Sequence, residues 1–453
     1  MSVCRSFCIH VRVCFVSSHM PEHVVMAYLL QYGKKARMDI KQWQETLEGY
    51  FQQHQEHYLN LLKAQVDINS YTYYPEGIDR LAEVTAEQFA PLGFTSEMIR
   101  SECPGCGHHL VMTRKGTTKH SIALISHLDT VYTEEEEARN NFSWRVDGDR
   151  IYGPGTIDIK GGTVMIYMIL SALQDYAPEV YDAIEWKVML NSSEEDDATH
   201  FGQVCLSRFD EHTIAGLVFE LGHFNQEEFQ LVIARKGRGV YNVHAHGRRA
   251  HAGTQHPKGA NAILQLADVI QKIEAITDYS RDLTFNVGHV EGGTVANSVP
   301  SKASLLLELR SFDREAFRDG VAQLEALDGY SSVTSADGEF SCRVEVEKVR
   351  ETGPWPINDG TDHLFSIWER VGGEMGLKAI RQERGGLSDG NLICHKVPVL
   401  DGLGPAGANA HCSEHSEDGS KEQEYLDVPS LTPKAALNTV AIMELCKEVL
   451  DKE

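Results

Sequence analysis

The stretch Ser121-Ile122-Ala123-Leu124-Ile125 runs through Ser126 into His127 and Asp129. A short apolar run without polar alternation reads as a strand buried on both faces. Two further segments repeat the arrangement: Trp186-Lys187-Val188-Met189-Leu190 leads into Glu194 and Glu195, and Gly216-Leu217-Val218-Phe219 leads into Glu220. In each, residues able to bind metal follow the end of the apolar run. Open α/β sheets hold ligands outside the carboxyl ends of their strands, so the three segments bring imidazole and carboxylates to one edge of one sheet. The sequence therefore predicts an α/β fold with a central, mostly parallel sheet flanked by helices.

Moving outward, the pattern changes between about Arg235 and Val349. A polar strand, Tyr241 to His246, precedes a helix whose apolar residues Ile263, Leu266, Ile270 and Ile273 recur at helical spacing, and strands Leu283–Val287 and Ala303–Leu309 follow. This predicts a smaller α+β unit at 236–349, inserted into a catalytic domain formed by 38–235 and 350–453. Met38-Asp39-Ile40 opens the first helical pattern, and a last helix is expected from Thr432-Pro433, a cap followed by Pro at the first helical position. Glu134 to Glu137 reads as a solvated loop. In residues 1–37 the apolar stretch Cys8 to Phe15 is broken by His10 and Arg12 and no clear cleavage site follows, so the segment reads as a disordered extension or a misassigned start.

With 453 residues and 42% hydrophobic content, the chain can bury at least one large core. Its 66 acidic residues against 42 Lys and Arg give a formal charge of -24, which would repel a phosphate backbone and argues against nucleic acid as a partner. No apolar run reaches the roughly 20 residues of a membrane helix, so a soluble protein without a membrane partner is expected. The ten cysteines are scattered, and only Cys103 and Cys106 form a CxxC pair. The absence of a disulfide framework points to a reducing, cytoplasmic compartment.

The chemistry follows from five pieces. In an extended segment residues two apart share a face, so Asp129 can hold one imidazole nitrogen of His127 and leave the other for a metal. Gly153-Pro154-Gly155-Thr156-Ile157-Asp158 is a tight turn before an apolar helix; it lacks the ending of a phosphate loop, and the carboxylate of Asp158 suits a metal bridge better than an anion. Glu194 and Glu195 come off a buried strand, where one acid can ligate metal and the other take a proton from metal-bound water. Glu220 and His411 complete a set of two imidazoles and three carboxylates, with Asp158, His127 and Glu195, that suits zinc and tolerates manganese or cobalt. Taken singly, each piece has a plainer reading as a capping pair, a turn or a solvated acidic face. Cys103 to His109 invites a structural zinc knuckle, but no second CxxC lies at the required spacing.

In order, Ser126 to Tyr132, Tyr152 to Gly162, Glu194-Glu195, Phe219-Glu220 and Ala250-His251-Ala252-Gly253 resemble the co-catalytic zinc family of aminoacylases, acetylornithine deacetylase, succinyl-diaminopimelate desuccinylase and bacterial glutamate carboxypeptidase, the last being nearest. The resemblance implies a zinc-exopeptidase-like domain with an inserted dimerisation or lid domain, and two Zn(2+) per chain. Asp158 would bridge the ions, one also held by His127 and Glu220, the other by Glu195 and His411. Glu194 would be general base to a metal-bridged hydroxide, and Asp129 the orienter of His127. Arg310 would grip a substrate carboxylate, with Arg235 and Lys236 as helpers. His251 would steady the oxyanion in the partner subunit of a homodimer, aided by Asn297. The expected substrate is a small molecule or short peptide in which the scissile amide adjoins a free carboxylate; the alternative is a catalytically silent binding homologue. Two features depart from the family: Ser193 stands where an acid usually precedes the Glu pair, and the longer turn Cys412 to Ser416 makes His415 a rival to His411. His411 is preferred because it follows the small-residue loop Gly404 to Ala410.

Overall fold

In the computed structural model, which describes residues 38–452, Asp39 caps the helix Ile40–Gln53, the first among the described residues, through a reciprocal pair of bonds with Gln42. Residues 1–37, and with them the expectation of a disordered extension, lie outside the described residues. The central sheet has six strands: β1 (Thr95–Arg100), β2 (His108–Arg114), β3 (Ser121–His127), β4 (Glu185–Asn191), β5 (Thr213–Val218) and, far along the chain, Val399–Leu400. Their order is β1-β2-β4-β3-β5 and then Val399–Leu400. Strand β3 runs parallel to β4 and β5, and β5 to Val399–Leu400, while β1–β2 and β2–β4 are antiparallel.

All seven residues of β3 are buried, and its side chains divide between two cores. Ile122 and Leu124 face helices Gly161–Tyr176 and Val428–Leu450, whereas Ala123 and Ile125 face Phe201, Trp355 and Ile393 on the other side. Burial on both faces removes the need for polar alternation, which is why the strand reads as a continuous apolar run.

A second sheet is antiparallel throughout, in the order β7-β8-β6-β9, where β6 is Gly237–His246, β7 Thr284–Gly292, β8 Lys302–Ser311 and β9 Arg343–Thr352. Here one face only is covered, so β6 alternates strictly between buried and half-buried residues. Tyr241, Val243 and Ala245 pack against Leu266, Val269 and Ile273 of helix Ala262–Glu274 and against Phe317 and Leu324 of helix Arg314–Glu325.

Several local expectations are corrected. Ile263 is 45% exposed, because the helix turns Ala262, Leu266 and Val269 inward instead. The last helix starts at Val428, a turn before Thr432, with Pro429 in its first turn and Pro433 inside it. The acidic run is not a loop: Glu134–Arg139 is a short helix capped by Thr133, with its acids at the N-terminal end where the helix dipole favours negative charge. One stretch among the described residues, Thr156–Tyr176, is long and apolar enough to cross a membrane, and its apolar span is almost wholly buried inside the protein as a core element.

Candidate metal centre

His127 ends β3 and is 1% exposed. Its Nε2 lies 3.0 Å from Asp158 Oδ1 and 3.7 Å from Glu220 Oε1. Its Nδ1 lies 2.9 Å from the backbone carbonyl oxygen of Asp129 and 3.6 Å from the Asp129 carboxylate. The shorter contact is therefore to the main chain, and Asp129 uses its carboxylate elsewhere. Oδ1 accepts from the Glu194 amide at 3.0 Å, and Oδ2 from the Glu195 amide at 3.2 Å and the Thr72 hydroxyl at 2.9 Å. Asp129 thus fixes the Glu194–Glu195 backbone beside His127.

Asp158 sits in the irregular turn Thr156–Lys160 that leads into helix Gly161–Tyr176. Gly155 has φ +75°, and a Cβ there would meet Thr130 Cγ2 at 2.8 Å, so the turn needs glycine. At Gly162 a Cβ would come within 2.1 Å of the Phe219 carbonyl; its absence lets the helix close on the end of β5, next to Glu220. The second oxygen of Asp158 faces the other way, with His411 Nε2 3.3 Å from Oδ2 and 3.1 Å from Glu195 Oε2. Two groups of potential ligands result, His127–Asp158–Glu220 and Asp158–Glu195–His411, each with ligating atoms within 4.8 Å of one another. Asp158 belongs to both. His411 is 53% exposed and has φ +65°, a left-handed conformation that costs a non-glycine residue about 1 kcal/mol or more and persists where surroundings impose it. His415 is in neither group; it lines a surface cavity with Arg139 and Lys421.

The electrostatics suit cations. Burial raises Glu194 well above the ordinary carboxyl range, with the charges of Glu220 and Glu195 adding, and it raises Glu195, with Asp158 adding. Burial and the neighbouring Asp158 push Glu220 up to about 8. Burial works against the Asp158 charge as well, yet the bonds to His127 and His411 prevail and hold it below its usual value. His411 is raised to about 11 by its bonds to Asp158 and Glu195. Carboxylates crowded in low dielectric around two imidazoles are a donor set that divalent ions would relieve, with the nitrogen and oxygen ligands zinc accepts.

Some partners gave no sign in the sequence. Glu424, fully buried, accepts from the amides of Ile157 at 2.9 Å and Asp158 at 3.2 Å, and from the Tyr132 hydroxyl at 2.7 Å, so it holds the turn that carries Asp158. Arg235 is 5% exposed and paired with Asp401 at 2.7 Å, and Lys236 bonds Asp282 at 2.8 Å, so both expected helpers are engaged. Arg310 forms a fork on Glu308, at 2.9 and 3.3 Å, and donates to the Gly385 carbonyl at 2.6 Å. His251 and Asn297 lie together on the second unit, joined by the Ala252 amide to the Asn297 carbonyl at 2.9 Å. Cys103 and Cys106 belong to neither group of metal ligands found among the described residues.

A family profile described as a peptidase dimerisation domain matches residues 233–327. The chain is 27% identical over 391 residues to carboxypeptidase G2 of Pseudomonas sp., covering 85% of this chain and 89% of that protein. It is a metal-dependent hydrolase similar in sequence to carboxypeptidase G2. This hydrolase is also 22% identical over 364 residues to a succinyl-diaminopimelate desuccinylase of Sphingopyxis alaskensis, over 78% of this chain and 91% of that one. Its fold is that of an M20 family metallo-carboxypeptidase from Sulfolobus solfataricus, with a TM-score of 0.61 at 16% identity, covering 86% of this chain and 99% of the other. The aminopeptidase PepT of Bacillus cereus gives a TM-score of 0.64 at 22% identity, over 86% and 98% of the two chains.

Proposed function

We propose that this hydrolase holds two zinc ions and cleaves an amide bond next to a free carboxylate, as in a peptide ending in glutamate or an N-acyl amino acid. The observation that carries the reading is Asp158, whose two oxygens face two different ligand groups across 3.0 and 3.3 Å contacts. His127 and Glu220 would complete one ion's ligands, and Glu195 and His411 the other's; manganese or cobalt would also fit this donor set. The ions would polarise the scissile carbonyl and make water acidic near neutral pH.

The remaining work falls to side chains. Glu194 takes the proton of the attacking water and passes it to the leaving amine. Arg310 receives the substrate carboxylate on the fork that Glu308 occupies here. His251 Nδ1 accepts from the amides of Gly253 and Thr254, each at 3.2 Å, so its proton resides on Nε2 and is free to be donated. That tautomer is the one an oxyanion donor requires, and in a homodimer His251 serves the partner subunit, with Asn297 beside it.

The test is a hydrolysis panel of N-acyl amino acids and peptides ending in glutamate, each paired with its C-terminal amide, with metal analysis of the same sample. Turnover of free acids over amides is expected, and Glu194→Gln should lower the rate by about a hundred- to ten-thousandfold while keeping its metals. Two bound ions without turnover on any substrate would favour a silent binding homologue.

A further inference from the structure

The turn Cys103–Cys106 takes no part in the site above, yet it touches the loop that carries Glu194 and Glu195. Its backbone closes through the Cys106 amide to the Cys103 carbonyl at 3.2 Å, with Gly105 at φ +87°, and the two Sγ atoms are in contact at 2.6 Å. Cys103 is 7% exposed; Cys106 is partly exposed and lines, with Arg100 and Glu102, an open cavity of about 400 Å³. Next to them lies Asp196. Its Oδ2 accepts from the Tyr73 hydroxyl at 2.6 Å and faces Cys103 Sγ at 3.8 Å, and its Oδ1 accepts from Arg350 Nη2 at 2.7 Å. Arg350, from β9, also donates to the Asp196 carbonyl. One carboxylate therefore ties the acidic loop to Tyr73, to the CxxC turn and to the second sheet.

We propose that Cys103 and Cys106 form a reversible thiol–disulfide site, and that closing the bond loosens the Asp196 anchor of the Glu194–Glu195 loop. A low-molecular-weight disulfide is the oxidant. One cysteine thiolate attacks it, forming a mixed disulfide and expelling one small thiol; the second cysteine thiolate then attacks the mixed disulfide and expels the other. Two protein thiols give up two protons and two electrons, which leave on two small-molecule thiols. In the reduced state the Cys103 S–H donates to Asp196 Oδ2; in the disulfide that hydrogen is gone, and Tyr73 and Arg350 alone remain. Burial raises both thiols above their ordinary range, so at neutral pH they are protonated, able to donate and slow to exchange.

The metal-loaded full chain is incubated for hours with oxidised glutathione at mildly alkaline pH, alkylated and mapped by mass spectrometry. Amide hydrogen exchange of residues 192–198 is followed in the same samples. A Cys103–Cys106 bond that a reductant reverses is expected, with exchange in 192–198 rising about threefold, the size suited to losing one weak S–H donor. Cys106→Ser keeps the Cys103 thiol at Asp196 and should show neither change. Free alkylation of both thiols after oxidation, bonding of either to another cysteine, unchanged exchange in 192–198, or an equal response in Cys106→Ser would each overturn the proposal. Neither readout involves turnover, so the result stands apart from the substrate reading.

Discussion

Asp389 is 2% exposed, and its Oδ1 accepts from Asn191 Nδ2 at 2.8 Å, near the loop that carries Glu194 and Glu195. Burial is the largest influence on it, outweighing the opposing charge of His127, and pushes its pKa from 3.8 up to about 7. A carboxyl raised on folding favours the protonated native state, so its stabilising contribution is complete below the unfolded value and is lost as pH rises through the folded one. Asp389→Asn keeps an acceptor for Asn191 and cannot ionise. In chelator-stripped protein its thermal midpoint should exceed that of the unmodified chain at pH above 7, with the gap narrowing as pH falls toward 3.8; equal midpoints across that range would contradict the assignment. The residues legible in the sequence are those whose neighbours in the chain announce them: His127 ends a buried strand, and Asp129, Glu194, Glu195 and Glu220 each come just after one. Glu424 was not legible, because the Ile157 amide it holds lies 267 positions away and no local pattern marks the pair. Arg310 illustrates the other limit, since a strand position reveals an arginine but not the Glu308 that occupies it.

Elements were legible where burial is simple. A strand covered on both faces, like β3, is apolar throughout, and a strand covered on one face, like β6, alternates. Helix ends and phases were less legible because tertiary contacts decide them. Pro433 marks a first turn by its chemistry, but the strand Tyr425–Asp427 delivers the chain directly into Val428 and the helix begins there. Ile263 matched the helical spacing, but the sheet that Ala262–Glu274 covers meets the face carrying Ala262 and Val269. The second sheet has its own core, and Leu307 on β8 is 1% exposed within it. Leu307→Ala should cost about 2–5 kcal/mol of stability by opening a cavity, while the metal content of the folded protein is unchanged. Calorimetry with metal analysis checks this, and loss of metal from the folded variant would show that the two cores are not independent.

The acids and imidazoles are assembled from chain positions as distant as His127 and His411, while His251, in the short strand Ala250–His251 that pairs with Ser298–Val299, and Asn297 beside it stand apart from the second sheet, within the match to a peptidase dimerisation domain. In the dimeric reading, His251→Ala should cost about a hundred- to a thousandfold in rate, as loss of one oxyanion donor does. Mixing His251→Ala with Glu194→Gln under subunit exchange leaves one site of the mixed dimer without a lesion, so about a quarter of the original rate should return at equal mixing. Exchange without recovery would assign His251 to its own chain or to no catalytic role. In the proposed function Asp158 joins two ions in one hydrolytic centre. Its most direct measurement is zinc titration of the chelator-stripped chain, with elemental analysis after dialysis. Two zinc ions per chain are expected in the unmodified protein; one ion or none would rule out a shared Asp158.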